Sequence, residues 1–119
     1  MPPTTGNGKI CYLEIPSNDI AKSAAFYESA FGWHIRTNNE GHTAFDDGVG
    51  QVSGQWRKGW PAHTGGITIH IMVDDAAATV EKVVASGGTI IEPVSGPREK
   101  FAKFRDPSGN VMGIYQERK

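Results

Sequence analysis

A carboxylate, Glu14, and an imidazole, His70, lie inside the apolar runs 10–15 and 67–73. Both runs are rich in β-branched residues, which predicts strands. A carboxylate and an imidazole at one site can exchange a proton or share a divalent metal. The alternatives are a ligand contact, a pair that faces a second copy of the chain, and a buried histidine hydrogen-bonded to Glu14 or to a backbone carbonyl.

The remaining histidines lack the spacing of a metal site. His34, His42 and His63 are spread along the chain without an HxH or HExxH motif, so we expect them at the surface. Cys11 is the only cysteine, which excludes an intrachain disulfide and a cysteine-based zinc cluster. Its apolar neighbours predict a buried thiol rather than a reactive one.

The elements that position these residues follow from the sequence pattern. Pro16 ends the first strand, because proline cannot donate to a ladder. Asp19 is placed to cap a helix that Gly32 ends. Extended residues resume at 33–36, and a turn at 46–48 joins two further strands. The helix positions predicted to be buried are Ala24, Ala25, Phe26 and Phe31.

The second half of the chain repeats the order of the first. The run 67–73 is followed by Asp74 or Asp75 as a helix cap, and Gly87 ends that helix. The spacing from Asp19 to Asp74 is 55 residues, the same as from Gly32 to Gly87. Further strands are predicted at 89–91, 101–105 and 110–116, with a tight turn at 106–109.

These elements predict an α+β fold of two tandem βαβββ units, about 9–56 and 67–117. Their eight strands are expected to form a curved, mostly antiparallel sheet with two main helices on one face. Residues 1–8 are predicted to be a flexible tail, and 9–119 a single domain. The other face of the sheet is then left to close around a ligand.

Composition restricts the class of protein. A chain of 119 residues with 38% hydrophobic residues is long enough for one self-supporting domain. Its net charge of −1 and the lack of a basic run argue against a nucleic acid partner. No apolar stretch is long enough to span a membrane, and the N-terminus does not resemble a signal peptide. We therefore expect a cytoplasmic protein with no membrane partner.

Several motifs agree in order and spacing with one superfamily. They are Phe26-Tyr27 with Phe31-Gly32-Trp33, the helix start Val73-Asp74-Asp75, and the turn Asp106-Pro107-Ser108-Gly109-Asn110. Together with the tandem units, they resemble the vicinal oxygen chelate superfamily, the fold of glyoxalase I, bleomycin-resistance proteins and extradiol dioxygenases. The resemblance covers about residues 9–117.

Metal-dependent members of that superfamily place four His, Gln or Glu ligands on the concave face of the sheet. The resemblance puts these positions at Ile10, Gly54, Thr68 and Gly113, none of which is a residue of that kind. It also places Glu14 where glutathione-using lyases carry a basic residue, and a carboxylate there repels the substrate anion. The resemblance therefore implies no metal cofactor and no lactoylglutathione lyase activity, with a divalent metal on displaced ligands as the alternative.

The concave face and the loops that border it supply the candidate ligand contacts. Aromatic side chains there suit a planar apolar ligand, although loop packing or a dimer contact explains them equally well. Scattered basic residues are expected at the solvated surface, with anion binding as the alternative. The candidate contacts are Tyr12, Glu14, Trp56, Trp60, His70, Met72, Phe101 and Tyr115, and the basic residues are Arg57, Lys58, Arg98 and Lys100.

The sequence thus predicts a glyoxalase-related protein of unassigned reaction that binds or converts a small molecule without a metal. One alternative is a metal-dependent lyase, isomerase or dioxygenase. Others are a drug-sequestering protein and a purely structural or regulatory dimer with a filled cavity. Sheet edges and apolar surface left by two small units predict a homodimer.

Overall fold

The computed structural model describes residues 2–118. Two helices and eight strands follow one another in the predicted order. The elements of the first unit are β1 (Tyr12–Pro16), α1 (Ile20–Phe31), β2 (His34–Thr37), β3 (Thr43–Asp46) and β4 (Ser53–Arg57). Those of the second unit are β5 (His70–Val73), α2 (Ala76–Ala85), β6 (Thr89–Ser95), β7 (Lys100–Arg105) and β8 (Val111–Gln116).

Both helices begin at an aspartate cap. The side chain of Asp19 accepts a hydrogen bond from the backbone N of Lys22 at 3.1 Å, and Asp75 accepts one from Ala78 N at 3.1 Å. These bonds satisfy backbone donors that the first turn of a helix leaves unpaired. Gly32 ends α1 with φ 70°, a left-handed conformation that favours glycine. The cap of α2 is therefore Asp75, not Asp74.

The strands form two separate four-stranded sheets, ordered β1-β4-β3-β2 and β5-β8-β7-β6. In each sheet the first and last strands of a unit pair in parallel, and the other neighbours pair antiparallel. The two βαβββ units and the α+β class are confirmed, but the eight strands do not form one continuous sheet. Instead, β1 and β5 each stand at the edge of their own sheet.

The two units pack through the helix-facing sides of their sheets rather than through strand edges. Phe26 and Phe31 of α1 approach Phe104 of β7, with ring centroids 5.8 and 5.4 Å apart. Within the first unit, Tyr27 stacks on Trp33 at 4.4 Å, and the aromatic cluster continues into β3. One shared apolar core therefore covers one face of each sheet.

Hydrogen bonds made by the turn 106–110 connect the two units, and we call the turn together with these bonds the junction. Asp106 Oδ2 accepts hydrogen bonds from Tyr27 Oη at 2.8 Å and from Asn110 Nδ2 at 2.9 Å. Asn110 Nδ2 also donates to the carbonyl of Pro16 at 2.7 Å, and its Oδ1 accepts from His63 N at 2.8 Å. Burial of Tyr27 and the neighbouring carboxylate raise the pKa of its hydroxyl well above the ordinary value.

Three local predictions were wrong. Cys11 is exposed and directly precedes β1. Ala25 is exposed, because α1 turns its neighbours Ala24 and Phe26 toward the core. The predicted strands at 10–15 and 67–73 start two and three residues later, so their first residues lie outside β1 and β5.

The remaining local features agree with the predictions or extend them. His34 and His42 are exposed as predicted, whereas His63 is half-buried. The sixth strand continues past the predicted 89–91 because β6 is an edge strand and tolerates Pro93. Between residues 2 and 118, no helix is both long and apolar enough to cross a membrane.

Candidate functional site

Each sheet has one face that no helix covers, and we call these the first and second open faces. Successive side chains of a strand point to opposite faces, and partners in register share a face. Ile15 of β1 and Phe45 of β3 are buried against the helices. Along β1, Tyr12 and Glu14 point to the side opposite Ile15. They therefore lie on the first open face.

The first open face is charged, and its charges are paired. Glu14 Oε2 lies 3.5 Å from Arg57 Nη1, and both side chains are partly exposed. The Arg57 guanidinium carbon lies 5.0 Å from the centroid of the Trp60 ring, within range of a cation–π contact. Glu14 thus meets a cation of its own chain, and the guanidinium is held between a carboxylate and an indole.

A second ion pair lies across the same sheet. Arg36 donates from Nε and Nη2 to the two carboxylate oxygens of Asp46, at 3.0 and 3.1 Å. Ser53 Oγ donates to the same carboxylate at 2.6 Å. Hydrogen bonds from Arg36 and Ser53 lower the pKa of Asp46, so this side chain stays ionised and is not suited to act as a general acid.

The second open face is aromatic. The Phe101 ring lies 5.3 Å from that of Tyr115 and 6.4 Å from the imidazole of His70, in an edge-on arrangement. Met72 beside them is 67% exposed and Phe101 is 44% exposed. Tyr115 Oη donates to Glu117 at 2.8 Å, and this hydrogen bond raises the pKa of Tyr115, which keeps the phenol neutral. The face therefore offers apolar and aromatic contacts at these residues, beside an ion pair in which Lys103 Nζ lies 3.4 Å from Glu92 Oε2.

Glu14 and His70 lie in different sheets and do not form a pair within the described chain. The partner of Glu14 is Arg57, and the imidazole of His70 meets Phe101. His70 is exposed, so the interpretation of a buried histidine bonded to Glu14 is wrong. A pair that faces a second copy of the chain, or a ligand, stays a prediction.

Two other placements from the sequence were also wrong. Trp56 is 3% exposed and packs on Phe45 at 4.9 Å, so it belongs to the core and not to a ligand site. Gly54 lies on the same covered face, where an added Cβ would overlap the Phe45 ring. A one-residue error in the expected register of β4 produced the Gly54 assignment, because it exchanges the two faces of a strand.

Correcting that register places Gln55 on the first open face. Gln55 is directly opposite Glu14 in the β1–β4 pairing, and its Oε1 accepts from Asn38 Nδ2 at 3.3 Å. Sequence reasoning missed both Gln55 and Asn38. The alternation of Trp56 with its neighbours would have shown Gln55, since a large apolar residue in β4 marks the covered face.

The family's metal positions do not fit a metal in this chain. Ile10 and Thr68 lie before the strands that should present them. Gly113 has no side chain, and the imidazole of His70 fills the space that a Cβ there would occupy. Across residues 2–118, no three His, Cys, Asp or Glu side chains converge closely enough to hold a metal ion.

Comparison with known proteins gives the family. The model of the Glyoxalase/Bleomycin resistance protein/Dioxygenase superfamily matches residues 9–114. A glyoxylase-like domain-containing protein of Didymella fabae is 32% identical, covering 91% of this chain and 93% of that protein. A Vibrio parahaemolyticus protein with the name "probable lactoylglutathione lyase" is 29% identical, with 94% and 93% covered.

Solved structures show the same fold. The crystal structure of a glyoxalase/bleomycin resistance protein/dioxygenase family enzyme from Burkholderia phytofirmans superposes with a TM-score of 0.73 at 20% identity. The superposition covers 92% of this chain and 98% of that one. With the family match over most of its length, this chain belongs to the Glyoxalase/Bleomycin resistance protein/Dioxygenase superfamily.

Proposed function

We propose that the protein binds a small organic molecule on its open faces without a metal. The observation that carries this proposal is the patch on the second open face formed by the exposed His70, Met72 and Phe101 with the half-buried Tyr115. Large apolar side chains grouped at the surface are typical of a binding site or an interface. Here they surround Gly113, whose missing side chain leaves the imidazole room against the sheet.

The chemistry of the two faces describes the ligand. Aromatic rings on the second open face suit a planar, largely apolar body. On the first open face, the partly exposed guanidinium of Arg57 can hydrogen-bond a polar group of the same molecule. The ligand we expect is a planar apolar molecule with a hydrogen-bonding substituent, and its conversion is not assigned.

We further propose that the protein acts in the cytoplasm as a homodimer in which the ligand lies between copies. The edges of β1 and β5 have no strand partner within the described chain. Small domains commonly cover such edges and exposed apolar faces with a second copy. Light scattering at micromolar concentration should give twice the 12.8 kDa mass of one chain. A monomer would contradict the dimer.

A thermal-shift screen of small molecules, run with and without a chelator, tests ligand binding. Any ligand that prefers the folded state raises the melting temperature. We expect ligands that stabilise the wild type equally in both conditions. Stabilisation that disappears with the chelator would contradict metal-independent binding.

A metal-dependent enzyme is the second candidate function. It is favoured by the direct pairing of Glu14 with Gln55, two side chains with oxygen donors on one open face. A second copy would have to supply further ligands, among which His70 is the natural candidate. Metal analysis of the purified protein separates the two functions, because a catalytic site retains or rebinds a stoichiometric ion.

A further inference from the structure

A crevice separates the two units beside the unpaired edge of β5. One wall is the end of α1 with the β3–β4 loop, and the other is β5 with the start of α2. Its volume is ≈ 790 Å³, within the range of small-molecule sites. His70 and Met72 of the second open face also line this crevice, so it adjoins that face, whereas Phe101 and Tyr115 do not line it.

The floor of the crevice is apolar and incompletely covered. Ile69, Ile71 and Val73 point to the helix-facing side of the second sheet, yet each is only partly buried. Leu13 and Phe31 of the first unit face them and are also partly buried. Core-facing side chains left open to solvent are stabilised when an apolar group covers them.

The rim of the crevice is acidic. Glu28, Asp47, Asp74 and Asp75 line it, against Lys82 as the cationic side chain and His70. The three ion pairs found within residues 2–118 are Arg36–Asp46, Arg57–Glu14 and Lys103–Glu92, so none of the rim carboxylates has such a partner there. Carboxylates without cations beside an apolar floor favour a cation.

We propose that this crevice binds an apolar organic cation, an amine carried on a hydrocarbon body. The hydrocarbon would cover Ile71, Val73 and Leu13, and the ammonium would lie at the rim near Glu28 and Asp74. The apolar floor alone would bind neutral and anionic molecules as well as cations. The acidic rim attracts only the cation, so it makes the crevice selective.

Calorimetric titration with 4-phenylbutylamine, 4-phenylbutan-1-ol and 4-phenylbutyrate tests the proposal, because the three probes share one apolar body. The amine should bind at least about tenfold more tightly than the carboxylate, as expected for a cation near several carboxylates. Equal affinities, or no binding by the amine, would overturn the proposal.

Variants locate the binding site. Glu28→Gln with Asp74→Asn should weaken the amine about fivefold and leave the alcohol unchanged, as expected for partly screened charges. The matched control is Glu40→Gln with Glu81→Gln, two carboxylates outside the crevice. Ala78→Trp places a large ring at the exposed rim and should abolish binding of all three probes.

Phe101→Ala separates the crevice from the open faces, because Phe101 does not line the crevice. Amine binding that survives Phe101→Ala and is lost in Ala78→Trp supports the crevice. Amine binding lost in Phe101→Ala and kept in Ala78→Trp would overturn the crevice proposal while leaving the proposed function intact.

Discussion

Polar groups are buried and hydrogen-bonded at the junction, whereas those of the second open face are accessible to solvent. Asp106 and Asn110 at the junction are buried, and their side chains exchange hydrogen bonds with α1, β1 and the segment between β4 and β5. His70 and Tyr115 on the open face are accessible and make few contacts beyond their own sheet. Buried polar groups need such partners, whereas accessible ones remain available to a ligand.

The difference separates residues that specify the fold from residues that specify the function. The motifs that carry the family resemblance, Phe26-Tyr27 and the turn 106–110, meet in the junction. The open faces depart from the family's metal pattern, most clearly at Gly113. A chain can therefore keep the superfamily's fold while its site chemistry changes.

Removing the Asp106 carboxylate should have the largest effect. Asp106→Ala leaves the Tyr27 hydroxyl and the Asn110 amide buried without this partner, and should cost about 3 kcal/mol or more of unfolding free energy. Urea denaturation measures the loss. Asp74→Ala, at an exposed position, is the control and should change stability little. A loss as small as the control's would remove the distinction between the two regions.

Tyr27→Phe should have a smaller effect at the same place. It removes one hydrogen bond to a buried carboxylate, worth about 1.5–3 kcal/mol. The same hydroxyl loss at exposed Tyr12 is the control. If Tyr27→Phe were as stable as Tyr12→Phe, the junction bond would not contribute to folding.

The wild type should also lose stability in alkali through Tyr27. Its pKa is raised in the folded state by burial and by Asp106, so above pH of about 10 the unfolded chain releases a proton that the folded chain retains. Unfolding free energy therefore falls as pH rises through this range. Tyr27→Phe should flatten that fall in denaturation curves, and an unchanged slope would contradict the assignment.

On the second open face, we expect a mutation to change ligand affinity rather than the free energy of unfolding. Phe101→Ala should change unfolding free energy by less than about 1 kcal/mol, because the ring is partly exposed. It should weaken a ligand bound on the second open face about tenfold, the loss expected for an aromatic contact. Val84→Ala, an exposed apolar residue on α2, is the control. Equal ligand affinity in both variants would place the ligand elsewhere.

We expect the smallest effect of mutation on the metal content of the purified protein. Purified wild type, Glu14→Ala and His70→Ala should all lack stoichiometric Ni, Zn, Fe or Mn, and the wild type should show no lactoylglutathione lyase turnover. Elemental analysis and a direct enzyme assay check these outcomes. One metal per subunit that is lost in either variant would favour the metal-dependent candidate.

Repetition of local patterns made the fold predictable. The capping aspartates and the glycine stop at Gly32 each depend on residues near one another in sequence, and the same order of elements recurs in the second half of the chain. Separation of the sheets was not predictable in this way. It depends on which strand edges pair between the two units, and long-range contacts such as those of Phe26 and Phe31 with Phe104 are not encoded in a local pattern.

The site was less predictable than the fold, because it depends on strand register. A shift of one residue exchanged Gly54 for Gln55 and left Trp56 assigned to the wrong face. Met72, Phe101 and Tyr115 were candidate contacts, and they share one face because their strands are adjacent and in register. Whether Glu14 and His70 act together depends on a second copy, which the sequence of one chain does not describe.

Chemical-shift mapping of a ligand from the screen, with a chelator present, tests the central claim most directly. We expect perturbations at the Met72 methyl group and at the Phe101 and Tyr115 amides, with the junction amides of Ser108 and Asn110 unchanged. Perturbations confined to the junction, or none until a divalent metal is added, would contradict metal-independent binding on the open faces.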